Sequence, residues 1–132
     1  MKLYPLGSYF TTEEFTCPCE CGFGSKEKDI DENLIDSLNM MRMLYGKPMV
    51  VTSGARCKDY NLKIGGVSDS AHLPHPITSQ CRAVDILVTN SYDRAHLVEL
   101  AATVEIYRIG LASNFLHFDV AWDLPSPVMF NY

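Results

Sequence analysis

No stretch of this chain approaches the ~20 apolar residues needed to cross a bilayer. The opening residues, MKLYPLGSYFTTEEF, carry one Lys and then polar and aromatic residues, without the apolar stretch of a signal peptide. The expectation is a chain made in the cytoplasm, with no leader and no membrane span. Basic residues are scarce as well: 11 Lys and Arg stand against 16 Asp and Glu, a formal net charge of -5. A general nucleic-acid binder needs a basic face, so no nucleic-acid partner is expected. Repeats, low-complexity segments and linkers are also missing. Five cysteines cannot all pair internally. Without a signal peptide, thiols or metal ligands are expected rather than disulfides.

What is present fits an ordinary globule. A chain of 132 residues, 47% apolar and 20% charged, is long enough to bury a core and is read as one domain, 1–132. Thr11-Thr12-Glu13-Glu14 opens a short helical turn, and CPCECGFGS follows as a compact loop. DIDENLIDSLNMMRMLYG is an amphipathic helix: Leu34, Leu38, Met41 and Tyr45 recur at helical steps, Asp31 is the N-cap candidate, and Gly46-Lys47-Pro48 is the stop. MVVTSG is a short strand, and RCKDYNLKIGG a short helix closed by Gly65-Gly66. RAVDILV alternates as a strand, and SYDRAHLVELAATV is a second helix with Ser91 as its N-cap candidate. EIYRIGLA and FLHFDVAW are strands around Ser113-Asn114, in the manner of a hairpin. Pro125 and Pro127 mark an irregular tail. The lack of a regular βαβ rhythm favours α+β with an antiparallel sheet.

Only four histidines occur, and two lie in SAHLPHPITSQCRAVDI, which ends at an Asp entering an apolar run. An Asp there is costly unless it is paired or ligates a metal. Asp85 shares a strand face with Ala83 and Leu87, while Val84 and Ile86 share the other. In FLHFDVAW, His117 and Asp119 project from one face, and Phe118 and Val120 from the other. His72, Asp85 and His117 together make two imidazoles and a carboxylate, a set that suits Zn²⁺ with an open fourth position. The plainer alternative is three scattered polar residues.

Taken in order, these segments resemble the zinc D-Ala-D-Ala carboxypeptidase and endolysin family, the M15 peptidases, and most of all its small phage and bacterial domains. The family pattern Ser-x-His-x-x-Gly-x-Ala-x-Asp, with a later His on a strand, is met by Ser70-Ala71-His72, Ala83-Val84-Asp85 and His117. VTSGARCKDYNLKIGG is similar to the family's Ser-Gly-x-Arg segment and its following Gly-Gly. There are departures. Asp85 comes 13 residues after His72, the extra length lying in LPHPITSQC, and Cys81 stands where the motif has Gly. Many relatives carry an acidic residue three positions before the last His; here it is Asn114.

The resemblance implies a fold like D-Ala-D-Ala carboxypeptidases and hedgehog domains, with helices on one side of the sheet and a zinc cleft on the other. It implies a zinc metallopeptidase acting on peptidoglycan stem peptides, with His72, Asp85 and His117 as ligands. Arg56 would clamp or polarise the substrate, with Ser70 either a hydrogen-bond donor to substrate or a plain loop hydroxyl. Asp119 would be general base, or else the residue that orients His117. His75 reads as a loop-tip residue at the mouth, His96 as a surface or half-buried helix residue, and Tyr107, Phe118 and Trp122 as core or cleft wall. Phage origin would place action at the bacterial wall or in a virion. Two rivals remain: a non-catalytic zinc- or wall-binding module of a phage particle, and a small zinc-ribbon-like adaptor built on the cysteines. Cys-x-Cys-x-Cys lacks the usual Cys-x₂-Cys spacing, so a reduced thiol cluster is the simpler reading of Cys17, Cys19 and Cys21; a metal site completed by Cys57 is the sharper one.

Overall fold

The structure is a computed structural model that describes residues 4–132; residues 1–3, where the opening stretch begins, lie outside it. Seven strands, four α-helices and one 3-10 turn (Glu27–Asp29) make up the described chain. A small hairpin of β1 (Pro5–Leu6) and β2 (Phe10–Thr11) leads into α1 (Thr12–Phe15). Then come α2 (Glu32–Tyr45), β3 (Val51–Ser53), α3 (Lys58–Lys63), β4 (Ala83–Leu87), α4 (Ser91–Thr103), β5 (Arg108–Leu111), β6 (Phe115–Asp119) and β7 (Val128–Asn131).

The main sheet has the order β3-β4-β6-β5-β7. The first three pairings are antiparallel, as expected for α+β. The fourth is not: β7 adds in parallel to β5. The tail read as irregular is therefore an edge strand, and the sheet is mixed. Pro125 and Pro127 end before Val128, so they cost the strand no ladder donor.

The α2 helix begins as expected. The Asp31 carboxylate accepts from the backbone N–H groups of Asn33 and Leu34, and Gly46 ends the helix at φ 73°. The α4 cap differs from the expectation by one residue. Asn90, not Ser91, accepts from the Asp93 N–H, and Ser91 is the first helical residue. Leu34, Leu38 and Met41 of α2 and Leu97 and Ala101 of α4 share one buried cluster with Val84, Ile86, Leu116 and Phe118. The long helices therefore cover one face of β4 and β6. Burying each of these aliphatic or aromatic side chains contributes about 1.5–3 kcal/mol before the entropy cost of ordering. The alternation of strand side chains sends Asp85, His117 and Asp119 to the opposite face. Phe118 is core as expected, whereas Tyr107 and Trp122 are exposed.

Candidate metal centre

Three elements bring the donors together. Asp85 and His117 are direct cross-strand partners on β4 and β6. His72 arrives from the loop after α3, fixed by its backbone: Arg56 N–H donates to the His72 carbonyl at 3.0 Å, and His72 N–H donates to Ser70 Oγ at 3.2 Å. The three donor atoms form a nearly regular triangle. His72 Nε2 lies 3.2 Å from Asp85 Oδ1 and 3.2 Å from His117 Nδ1, and His117 Nδ1 lies 3.0 Å from Asp85 Oδ1. One face of a tetrahedron with metal–ligand bonds of about 2.0–2.1 Å has edges of about 3.3 Å. All three residues are buried.

The outer partners fix which atom of each ring faces inward. His72 Nδ1 lies 2.6 Å from the Gly54 carbonyl, which has no proton to give, so Nδ1 carries the hydrogen and Nε2 is left with a lone pair. His117 Nε2 donates to Asp119 Oδ2 at 2.6 Å, which turns Nδ1 inward. With both rings neutral, three lone pairs converge and no hydrogen remains to share. Positive charge is required there, as a proton on His117 Nδ1 or as a metal ion in its place. The titration trends agree. Burial pulls His72 below the ordinary imidazole range. Burial opposes charge on His117 too, but the hydrogen bonds to Asp119 and Asp85 outweigh it and raise this group. Asp85 is pushed up by burial, yet the bonds from His117 and His72 hold it well below the usual carboxylate range. The donor set, its spacing and its fixed tautomers fit a divalent ion such as zinc.

The other expected site residues surround this triangle. Arg56 Nη2 lies 3.3 Å from Asp85 Oδ2; its Nε donates to Ser53 Oγ at 3.1 Å and its Nη1 to Asn61 Oδ1 at 3.4 Å. Its guanidinium is therefore anchored on the Asp85 carboxylate while lining the cleft. Asp119 has both oxygens engaged: Oδ2 with His117, and Oδ1 with Arg108 Nε at 2.7 Å and Ala121 N–H at 3.1 Å. Asn114 sits exposed between β5 and β6. His96 is half-buried on α4 against Tyr45 and Tyr92, as expected.

His75 departs from its reading as a loop-tip residue. It is buried, its Nδ1 accepts from Ile77 N–H at 3.2 Å, and its Nε2 lies 3.0 Å from Asp123 Oδ2. Asp123 also pairs with Arg82. The inserted loop is thus stapled inward through His75, whose ring packs on Trp122 at 5.2 Å. It is not part of the triangle.

Sequence reasoning missed Arg108, Gly110 and the aromatics of the C-terminal strand. Arg108 faces Asp119 across β5 and β6. The His117 ring meets Phe130 at 5.6 Å and Tyr132 at 6.4 Å. Gly110 makes this possible, since a Cβ there would come within 2.7 Å of Phe130 and 2.9 Å of His117 Cβ. The available signal was VMFNY, a β-prone run discounted because of the prolines before it. A cleft of about 430 Å³ lies over the triangle, between Arg56, Asp69, Ser70, His72, His117 and the rings of Phe130 and Tyr132.

No curated protein matches the chain. A protein family described as Peptidase M15 matches residues 8–119, which include all three triangle residues and both strands that carry Asp85 and His117, but stop short of the aromatic strand β7. A peptidase is a hydrolase of peptide bonds, and with the match running through most of its length this chain belongs to the peptidase M15 family.

Proposed function

We propose that this chain is a zinc metallopeptidase that hydrolyses peptidoglycan stem peptides, of the D-alanyl carboxypeptidase or endolysin kind. The observation that carries the reading is the inward-facing triangle of His72 Nε2, Asp85 Oδ1 and His117 Nδ1, with each imidazole locked from behind. Zinc held there supplies a Lewis acid that lowers the pKa of water toward ~7. The protein's own groups do the rest. Asp119 orients His117 and keeps its Nε2 protonated, and of the two roles weighed for Asp119 its hydrogen bonds favour this one. Arg56 holds Asp85 and would offer the remaining N–H groups of Nη1 and Nη2 to the carbonyl or carboxylate of the peptide. Asp69 is the exposed carboxylate on the cleft wall without a side-chain partner among the described residues, so it is assigned the proton-accepting role.

The cleft continues past Asp69, Ser70 and Leu124 into a groove of about 550 Å³, walled by Leu62, Leu73 and Pro74. The inserted loop supplies the latter two residues. A short peptide chain would lie along this groove, with its scissile bond over the triangle. The wall as place of action, and a phage as source, rest on the resemblance of the Cys loop, the start of the helix at IDENLIDSL and the segment GKPMVVTSG to phage-type members.

The test is digestion of purified peptidoglycan with the zinc-loaded protein, with and without chelator, followed by mass analysis of the released fragments. Free D-alanine marks the carboxypeptidase, and longer stem fragments the endopeptidase. A second reading, a non-catalytic wall-binding module, is favoured by Asn114 where relatives carry an acid and by the full engagement of Asp119. It requires zinc and wall fragments to bind while no fragment is released.

A further inference from the structure

The N-terminal Cys loop lies outside the triangle and takes no part in the function just described. Cys17, Cys19 and Cys21 come from the loop that follows α1, and Cys57 is the N-cap of α3. Distant in sequence, their four sulfurs lie within 4.8 Å of one another. Cys17 Sγ is 3.5 Å from Cys19 Sγ, and Cys19 Sγ is 3.4 Å from Cys57 Sγ. Four sulfurs at the ~2.3 Å zinc–sulfur bond length of a tetrahedral site stand about 3.8 Å apart. All four cysteines are free thiols here.

We propose that Cys17, Cys19, Cys21 and Cys57 form a second metal site, a closed set of four thiolates that holds one structural zinc ion. Binding replaces the thiol protons with the ion and releases them to solvent. In an extended segment positions i, i+2 and i+4 share one face but stand about 6.6 Å apart in turn, so Cys-x-Cys-x-Cys converges only if the backbone curls. It does. Cys17 N–H donates to the Phe23 carbonyl at 2.8 Å and Glu20 N–H to the Cys17 carbonyl at 3.2 Å. Glu20 (φ 64°) and Gly22 (φ 94°) take the left-handed region that closes the loop. Glu20 is not glycine, so this backbone needs compensation from elsewhere, and an ion gripping three residues of the loop provides it. Two backbone N–H groups also aim at sulfur: Cys57 N donates to Cys17 Sγ at 3.4 Å, and Tyr60 N to Cys57 Sγ at 3.4 Å. With four protein ligands no position is left for water, so the site is structural rather than catalytic.

Its place in the fold gives it a purpose. Cys57 directly follows Gly54-Ala55-Arg56. The Gly54 carbonyl fixes His72, Arg56 holds Asp85, and Ala55 N–H donates to the Phe15 carbonyl at 2.7 Å just before the Cys loop. Tying Cys57 to the loop clamps this segment from its far side and so positions two groups around the triangle.

The test uses the full chain purified under reducing conditions with zinc. The expected content is two zinc ions per chain. The Cys19→Ser/Cys21→Ser variant should hold one. The His72→Ala/His117→Ala variant should also hold one, and X-ray absorption on it should show a pure sulfur shell at ~2.3 Å. Wild-type protein gives the same answer should the cysteine variant not fold: the four thiols should resist alkylation until a chelator is added. Cys81, which burial pushes up to about 12, should stay silent in both states until denaturation. Free reaction of the four thiols before chelation, a mass showing them joined as disulfides, or a metal shell without sulfur would overturn the proposal. Because the histidine variant is read separately, loss of the triangle's ion and loss of the sulfur site cannot be confused.

Discussion

The two faces of the β4–β6 pair are equally dry and chemically opposite. On one, Val84 (0% exposed), Ile86 (1%), Leu116 (0%) and Phe118 (0%) fill the core. On the other, Asp85 (3%), His117 (5%) and Asp119 (1%) are just as far from water. Hydrocarbon burial is non-directional, so the first face needs only shape and volume. The second face pays desolvation and tolerates it through direction: every buried oxygen and nitrogen of these three residues has a named partner. One pair of strands therefore separates stability from chemistry, one side chain apart.

That separation predicts different failures on the two faces. The largest effect is expected on the polar face. His72→Ala removes one corner of the triangle, so zinc content should fall by one ion per chain and peptidase turnover to background. His75→Ala and His96→Ala should keep the ion, since neither ring faces the triangle. Metal analysis beside the peptidoglycan assay reads both. A His72→Ala protein with full zinc and turnover would end the assignment.

Next in size is the apolar face. Phe118→Ala empties a fully buried ring position, at an expected cost of about 3–5 kcal/mol of folding stability. Urea unfolding in the presence of a chelator measures it cleanly. Under native conditions the folded fraction should still bind zinc at the triangle. Loss of metal affinity in proportion to stability would break the comparison, by showing that the faces are coupled through the strand.

Asp119 comes third, because in the proposed role it would act on the ion only through its hydrogen bond to His117. Asp119→Asn should weaken zinc binding at the triangle by roughly 10–100-fold, with turnover recovered in excess zinc. The competing outcome is zinc fully retained and turnover down by about 10²–10⁴-fold, which would make Asp119 the base and return Asp69 to a bystander. Zinc affinity and turnover measured on the one variant separate the two.

This division also explains what the sequence disclosed. Period-two alternation in RAVDILV and FLHFDVAW is local, so both faces of β4 and β6 were legible, and with them Asp85, His117 and Asp119. The helical spacing of Leu34, Leu38 and Met41 was legible for the same reason. What was hidden depends on partners remote in the chain. His75 is buried because Asp123 receives it, 48 positions away. Cys57 meets Cys19 across 38 positions, and the sequence offered that meeting only as one of two readings. β7 exists because β5 offers a free edge in parallel, which no local pattern announces. Loop insertions obscure spacing in the same way: His72 and Asp85 stand 13 residues apart, yet their donor atoms are 3.2 Å apart, because the extra residues form a loop of their own held by His75 and Asp123.

The smallest effect is expected at Asn114, and it tests the polar face from outside. The family resemblance puts an acid in many relatives at this position, three before His117, which makes it a natural place to look for the base. Here Asn114 is exposed between β5 and β6, its carbonyl accepting from Val88 N–H at 3.0 Å, and it does not line the cleft over the triangle. Asn114→Asp keeps the size of the side chain and adds the carboxylate. A surface change of this kind should alter stability by no more than about 0.5 kcal/mol. With the new carboxylate away from the cleft, turnover and zinc content should match the parent protein. A clear gain in turnover would mean that the turn between β5 and β6 reaches the substrate, and that the chemistry of this face extends beyond the residues buried in it.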